Sequence, residues 1–313
     1  MPLRIGPSWG CRARGHSNRR GPASGNGMIG ILASVIDGVL VGAVYGLAAM
    51  GLTLIWGVMN VINLSHGAII VLGMFVVYFL TSATGASAYL GVPLVLALGF
   101  AAGVVIYWVS VNRVIGQPIL MSLLATFALN MVIIGLGTAA WTTSPYNVPV
   151  SLPGITVRGY TFTGTHIMAA IIAVVIAAAL YLFLRYTRPG KAIRAVAGNR
   201  DAAELNGIPT RQVLSMAFGL GVALACVSGA LIATLFPFTV LSGGSYQLKS
   251  FVVTVLGGLG NPAGALMGGI ALGVVEGLAT PFTPVSWTPI IEFGLFVITL
   301  IAFPRGIFAF SRA

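Results

Sequence analysis

No charged residue interrupts the chain between Asp37 and Arg113, yet the 27 residues from Arg185 to Arg211 hold eight, six basic and two acidic. Ionised side chains are costly inside a bilayer, so this contrast describes a chain that crosses lipid repeatedly and keeps one charged loop between crossings. Composition agrees. A content of 58% hydrophobic and 7% charged residues, with mean hydropathy +1.01, lies outside the range of soluble domains. A span needs ~20 apolar residues to cross the hydrocarbon layer. The 313 residues therefore predict an all-α polytopic membrane protein with roughly eight to ten spanning or half-spanning helices, some broken or re-entrant. The formal charge of +11 would point to nucleic acid in a soluble protein. Here the cations flank apolar runs, where the positive-inside rule places them, so the expected partner is the lipid bilayer and not nucleic acid. Cys11 and Cys226 offer neither a disulfide framework nor a metal-ligand spacing.

Residues 1–27 form a basic extension, with Arg4, Arg12, Arg14, Arg19 and Arg20 among Gly, Ser and Pro and no apolar core of a secretory signal. It reads either as a disordered basic tail held inside by charge or as sequence upstream of the true start at Met28, the reading favoured because membrane sequence begins there. Residues 28–313 then form a single transmembrane domain. Gly38 to Gly57 reads as the first clean span, and Asp37 before it as the N-cap of that helix, ahead of an ion-binding role. Further apolar segments run from Gly67 to Leu80, Tyr89 to Val111, Ile119 to Trp141, His166 to Leu184, Val213 to Leu235, Phe251 to Leu259, Gly264 to Leu278 and Ile290 to Phe303. With the loop at 185–211 inside, an internal N-terminus requires one of the five preceding segments to fail to cross. Gly67 to Leu80 is the candidate. Arg305 and Arg312 predict an internal C-terminus.

Two polar breaks interrupt these segments: Asn60, Asn63, Ser65 and His66 before Gly67, and Gly257-Gly258-Leu259-Gly260-Asn261-Pro262 before Gly264. Irregular backbone is tolerated at membrane depth only where protein or water satisfies it, and paired interruptions point to a transport path. Intramembrane polar groups are functional candidates, here Asn60, Asn63, Ser65, His66, Asn130, Asn261, Glu276 and Glu292. His66 is positioned either to meet a passing carboxylate or to be satisfied by a helix carbonyl; Glu276 and Glu292 either pair with Lys249 or lie at a membrane face. The proline-rich connection Thr142 to Gly164 reads as an external lip able to form a small capping structure. Glycines spaced by four (Gly42 and Gly46, Gly99 and Gly103, Gly264 and Gly268, Gly269 and Gly273) predict close helix packing.

Inside the charged loop a short helix is bracketed. Asn199 is its N-cap, Asp201 suits the positive end of the helix dipole, and Asn206-Gly207 stops it before Pro209. Ala202, Ala203 and Leu205 supply a small apolar face and Arg200 and Glu204 supply charge, a pattern suited to a groove on another protein or to an ordinary interfacial loop.

Four motifs in order, DGVLVGAVYGLAAMGLTLIWGVMNVINLSHGAIIVLGMF from Asp37, GKAIRAVAGNRDAAELNGIPTRQV from Gly190, GGLGNPAGALMGG from Gly257 and FPRGIF from Phe303, make Gly38 to Phe308 resemble the permease subunits of branched-chain amino acid ABC importers, the LivH type. The resemblance implies that Asn199 to Gly207 is a coupling helix docking on a separate ATPase, and that Asn63 to Gly67 lies near the translocation path. It implies partners: two ATP-binding cassette subunits, a second homologous permease and a periplasmic or lipid-anchored substrate-binding protein. It implies an inner-membrane location with residues 185–211 cytoplasmic. The chain has no Gly-x-x-x-x-Gly-Lys-Ser/Thr phosphate loop, so it is not itself an enzyme, needs no cofactor or metal of its own, and leaves ATP to a partner. Three alternatives stay open: a urea or amide permease of the same family, a ribose-type sugar permease, and an ion-coupled secondary transporter or channel.

Overall fold

The computed structural model describes residues 27–150, 152–157, 160–303 and 306–308. The basic extension up to Asn26, with Arg158, Arg305 and Arg312, lies outside the described residues. Among the described residues seven helices are long and apolar enough to cross a membrane. The protein is a polytopic helical membrane protein.

Helix α1 (Gly27–Met59) is continuous over 33 residues, about 50 Å at 1.5 Å per residue. Its sequence contains no proline, so nothing stops it at Asp37. The expected N-cap is therefore an interior helical residue, whose carboxylate accepts from His166 Nδ1–H at 2.5 Å. The helix ends where Asn60 takes a positive φ of 53°. Helix α2 (His66–Thr84) spans 19 residues, closed by Gly85 at φ 66°. The segment expected to fall short is thus long enough to cross, because the helix begins at His66 and extends four residues beyond Leu80.

Helices α3 (Val92–Val109) and α4 (Ile119–Trp141) follow, the second starting after Pro118. The connection after α4 carries a small two-stranded structure: strands β1 (Ile155–Val157) and β2 (Tyr160–Phe162) pair antiparallel with Thr156 opposite Thr161. An isolated bridge joins Tyr146 to Phe238. Phe75 pins this corner, stacked on Trp141 at 4.3 Å and edge-on to Phe238 at 5.1 Å. Next come α5 (Gly164–Tyr186), α6 (Arg188–Gly198), α7 (Arg200–Leu205), α8 (Thr210–Ala233), α9 (Gly243–Gly257), α10 (Pro262–Ala279) and α11 (Thr288–Ala302).

Helices α1 and α8 form the centre and α4 the periphery, with 89% of the α8 span buried against 11% of α4. An apolar helix so exposed within its own chain faces lipid or another protein. The glycine pairs read from the sequence lie at helix contacts. Gly42 and Gly46 meet Gly269 on α10, Gly99 and Gly103 meet α8, and Gly264 and Gly268 meet α9. Tight backbone approach of this kind is what small residues provide where no hydrophobic force drives helices together.

Asp37, in the first third of α1, meets His166 in the first turn of α5. Helix α1 also packs on α6, which follows the far end of α5, so α1 and α5 run parallel. Five crossings precede the charged hairpin, and the start of α1 lies on the face opposite to it. The five-segment count that the sequence leaves open is thus met by α2 at the length of a span, and the residues before Gly27 lie outside the described residues. Beyond α8 the chain re-enters irregularly, since Gly243 at the start of α9 packs on Gly67 at the start of α2. Helix α9 runs back to the hairpin face, α10 crosses and α11 returns, ending beside α9 through Ile307 N–H to Leu256 O at 2.9 Å.

Candidate functional site

Three places combine exposed, strained or charged groups. The first is the α6–α7 hairpin. Thr187 caps α6, its hydroxyl oxygen accepting from Gly190 N–H at 3.1 Å, and Pro189 occupies the first turn. Ile193 and Val196 turn inward while Lys191 and Arg194 face out. Asn199 caps α7 as expected, with Oδ1 accepting from Ala202 N–H at 2.9 Å. Gly207 at φ 77° turns the chain out of the helix, and Glu204 accepts from the Thr210 hydroxyl at 3.3 Å. The apolar face divides: Ala203 is buried against the bundle, whereas Ala202 faces out and Leu205 is 90% exposed. Positions three apart share a helix face, so Ala202 and Leu205 point away together.

The second place is the paired breaks. At the first, Asn63 Oδ1 accepts from Ser65 N–H at 3.1 Å and from its hydroxyl at 2.6 Å. Gln247 of α9 clamps this turn, accepting from Gly67 N–H at 2.6 Å and donating to Asn63 O at 3.3 Å. His66 Nε2–H donates to Ala48 O at 3.0 Å, the carbonyl-satisfied arrangement. Asn63, Ser65 and His66 are fully buried, and Asn63 Nδ2 and His66 Nδ1 have no partner among the described residues. Asn60 is exposed and Asn130 half-buried. At the second break Asn261 caps α10 through Gly264 N–H at 3.2 Å and donates to Phe308 O at 3.2 Å. Both breaks thus use an asparagine side chain to replace lost backbone bonds.

The third place is a cavity of about 580 Å³ toward the face opposite the hairpin, between the starts of α1, α9 and α11 and the end of α10. Lys249 bonds both Glu276 and Glu292 at its wall and lies over the Tyr45 ring at 4.8 Å. Removing Lys249 would leave two adjacent carboxylates without a cation. Lys249→Met is expected to destabilise the protein by about 3–5 kcal/mol, read as a lowered thermal midpoint in detergent, with Glu276→Gln recovering part of the loss. An unchanged midpoint would show that the cluster contributes nothing to the fold.

Comparison with known families matches residues 34–300 to the branched-chain amino acid transport system permease component. The chain belongs to this permease family. It is 28% identical over 297 residues to the high-affinity branched-chain amino acid transport system permease protein LivH of Escherichia coli K12, covering 88% of this chain and 94% of that one. BraD of Pseudomonas aeruginosa, a permease protein of the same named system, is 26% identical over 293 residues, covering 88% and 95%. The ribose import permease protein RbsC of E. coli K12 is 27% identical over 256 residues, covering 75% and 74%. No solved structure matches it significantly.

Within this permease the polar candidates do not form one site. Glu276 lines the cavity with Lys249 and Glu292; Asn63, Ser65 and His66 form the first break; Asn261 sits at the second. Sequence reasoning missed α6 and the place of Asp37 on the cavity wall. Thr187-Arg188-Pro189, a capping residue followed by proline in the first turn, was the signal for α6. No local signal tied Asp37 to His166, which lies 129 positions away.

Proposed function

We propose that this chain is the translocating subunit of an ABC importer for branched-chain amino acids in the cell inner membrane, driven by separate ATPase subunits. The carrying observation is the α7 tip: a helix capped at both ends, anchored inward by Ala203, that projects Leu205 and Ala202 away from the bundle. An exposed apolar anchor beside Arg200 and Glu204 suits a groove on a soluble partner. In this reading residues 185–211 are cytoplasmic and Asn199 to Leu205 with Gly207 dock on the ATPase. ATP chemistry stays in that partner, and the chain itself is no enzyme and holds no cofactor. A second homologous permease covers part of the exposed helix surface. A periplasmic or lipid-anchored binding protein delivers cargo to the cavity face, and the path passes Glu276, the break at Asn60, Asn63, Ser65 and His66, and the break at Asn261. Rigid-body motion of the bundle, driven through the hairpin, opens the path to each side in turn.

Mild-detergent purification of the tagged chain, with mass spectrometry of what stays bound, tests this. Recovery of an ATP-binding subunit and a second permease is the expected result. A chain that purifies alone and passes solute in liposomes without ATP would overturn it in favour of a channel or secondary transporter.

A further inference from the structure

Among the described residues lining the cavity, carboxylates outnumber ammonium groups. Asp37, Glu276 and Glu292 line it against one ammonium, that of Lys249, with the His166 imidazole held on Asp37. Lys249 pairs with two carboxylates, and one suffices for it, so the other can pass to a second cation without leaving Lys249 unpaired. The two glutamates are not equivalent. Both line the cavity, but the Glu292 side chain is 7% exposed and that of Glu276 17%.

The rest of the lining is amphiphilic. Val41, Phe236, Leu248 and Ile291 contribute apolar lining, and Ser34 and Ser245 line it as well. A cavity of about 580 Å³ lies within the range of sites that enclose small molecules, which are mostly apolar with a few placed polar groups. It lies on the face opposite the hairpin, where an importer receives cargo.

We infer that this cavity is a recognition site for the cargo's α-ammonium group, with Glu276 as its acceptor, Lys249 as the internal cation that holds Glu276 when the site is empty, and the apolar wall taking the branched side chain. This rests on the importer reading and adds to it that the permease, and not only the delivering protein, selects a cationic amine. A neutral sugar or urea offers Glu276 no cation in exchange for Lys249. The hydroxyls can bond the carboxylate of the cargo, while the exchange of partners at Glu276 requires the ammonium.

The test uses the permease–ATPase complex in nanodiscs without any binding protein, measuring binding of radiolabelled leucine. Competition by 3-methylbutylamine, which lacks the carboxylate, is expected, and 4-methylpentanoate, which lacks the ammonium, is expected to compete poorly. Glu276→Gln is expected to weaken leucine binding about 10- to 100-fold, the range for loss of a charge-assisted hydrogen bond, with an unchanged thermal midpoint. If that variant does not fold, Glu276→Asp, which keeps the charge and retracts it, is expected to weaken binding while preserving the preference for the amine. Equal competition by amine and acid, full binding in a folded Glu276→Gln complex, or no leucine binding by the wild-type complex would each overturn the inference. Uptake assayed separately with the binding protein and ATP tells these failures from failure of the importer reading, since a complex that imports leucine normally with Glu276→Gln keeps that reading intact.

Discussion

Leu205→Asp is expected to abolish ATP-driven uptake while the chain inserts and folds normally. Leu205 is 90% exposed, so its own bundle loses almost no contact on substitution. A partner groove that receives it loses a central apolar anchor, and such anchors are worth about 2 kcal/mol or more, roughly a 30-fold change in affinity. The introduced carboxylate adds a buried charge with no matching cation. Replacing Arg200 and Glu204 together is expected to reduce uptake by the same route. Co-purification of the ATPase with each variant, beside uptake in reconstituted vesicles, separates loss of docking from loss of insertion. Normal uptake by either would remove α7 from the coupling.

Gly273→Val is expected to prevent accumulation of folded protein. A Cβ at Gly273 would lie 2.7 Å from the Gly42 Cα and closer still to the Gly38 carbonyl. Overpacked cores lose about 1–3 kcal/mol when side chains can shift; here backbone stands on both sides and cannot. The whole α1–α10 contact must part, and about 3 kcal/mol or more is the expected cost. Gly135→Val on α4, where a Cβ meets nothing within 4 Å, is the matched control and should behave as wild type. Monodisperse yield and thermal midpoint in detergent measure both.

The sequence made the membrane class, the two breaks, the glycine contacts and the Asn199 cap legible because each depends on local chemistry: charge, backbone permissiveness, helix spacing. The division of the α7 face between Ala203 inward and Leu205 outward was not legible, since it depends on how the hairpin rests on the bundle. The full length of α2 was not legible for a related reason. Hydropathy bounded α2 at Gly67 and Leu80, but a helix extends until its backbone is stopped, and His66 to Thr84 is set by Asn63 and Gly85. The cavity joins four elements whose residues are up to 258 positions apart, Ser34 to Glu292, and only Lys249 with its two glutamates was guessed as a cluster.

The glycine seam between α1 and α10 has a mechanical consequence. Where helices meet through side chains, rotamers absorb small displacements before the neighbour feels them. Gly38, Gly42 and Gly46 rest directly on α10, and Gly57 on Gly260, so main chain bears on main chain with no compressible layer between. Close-packed contacts transmit strain, and this pair behaves as one stiff rod with its ends on opposite faces. Because α1 touches the charged hairpin at one end and forms the cavity wall at the other, a tilt of the hairpin arrives at Asp37 and Glu276 with little slack lost on the way.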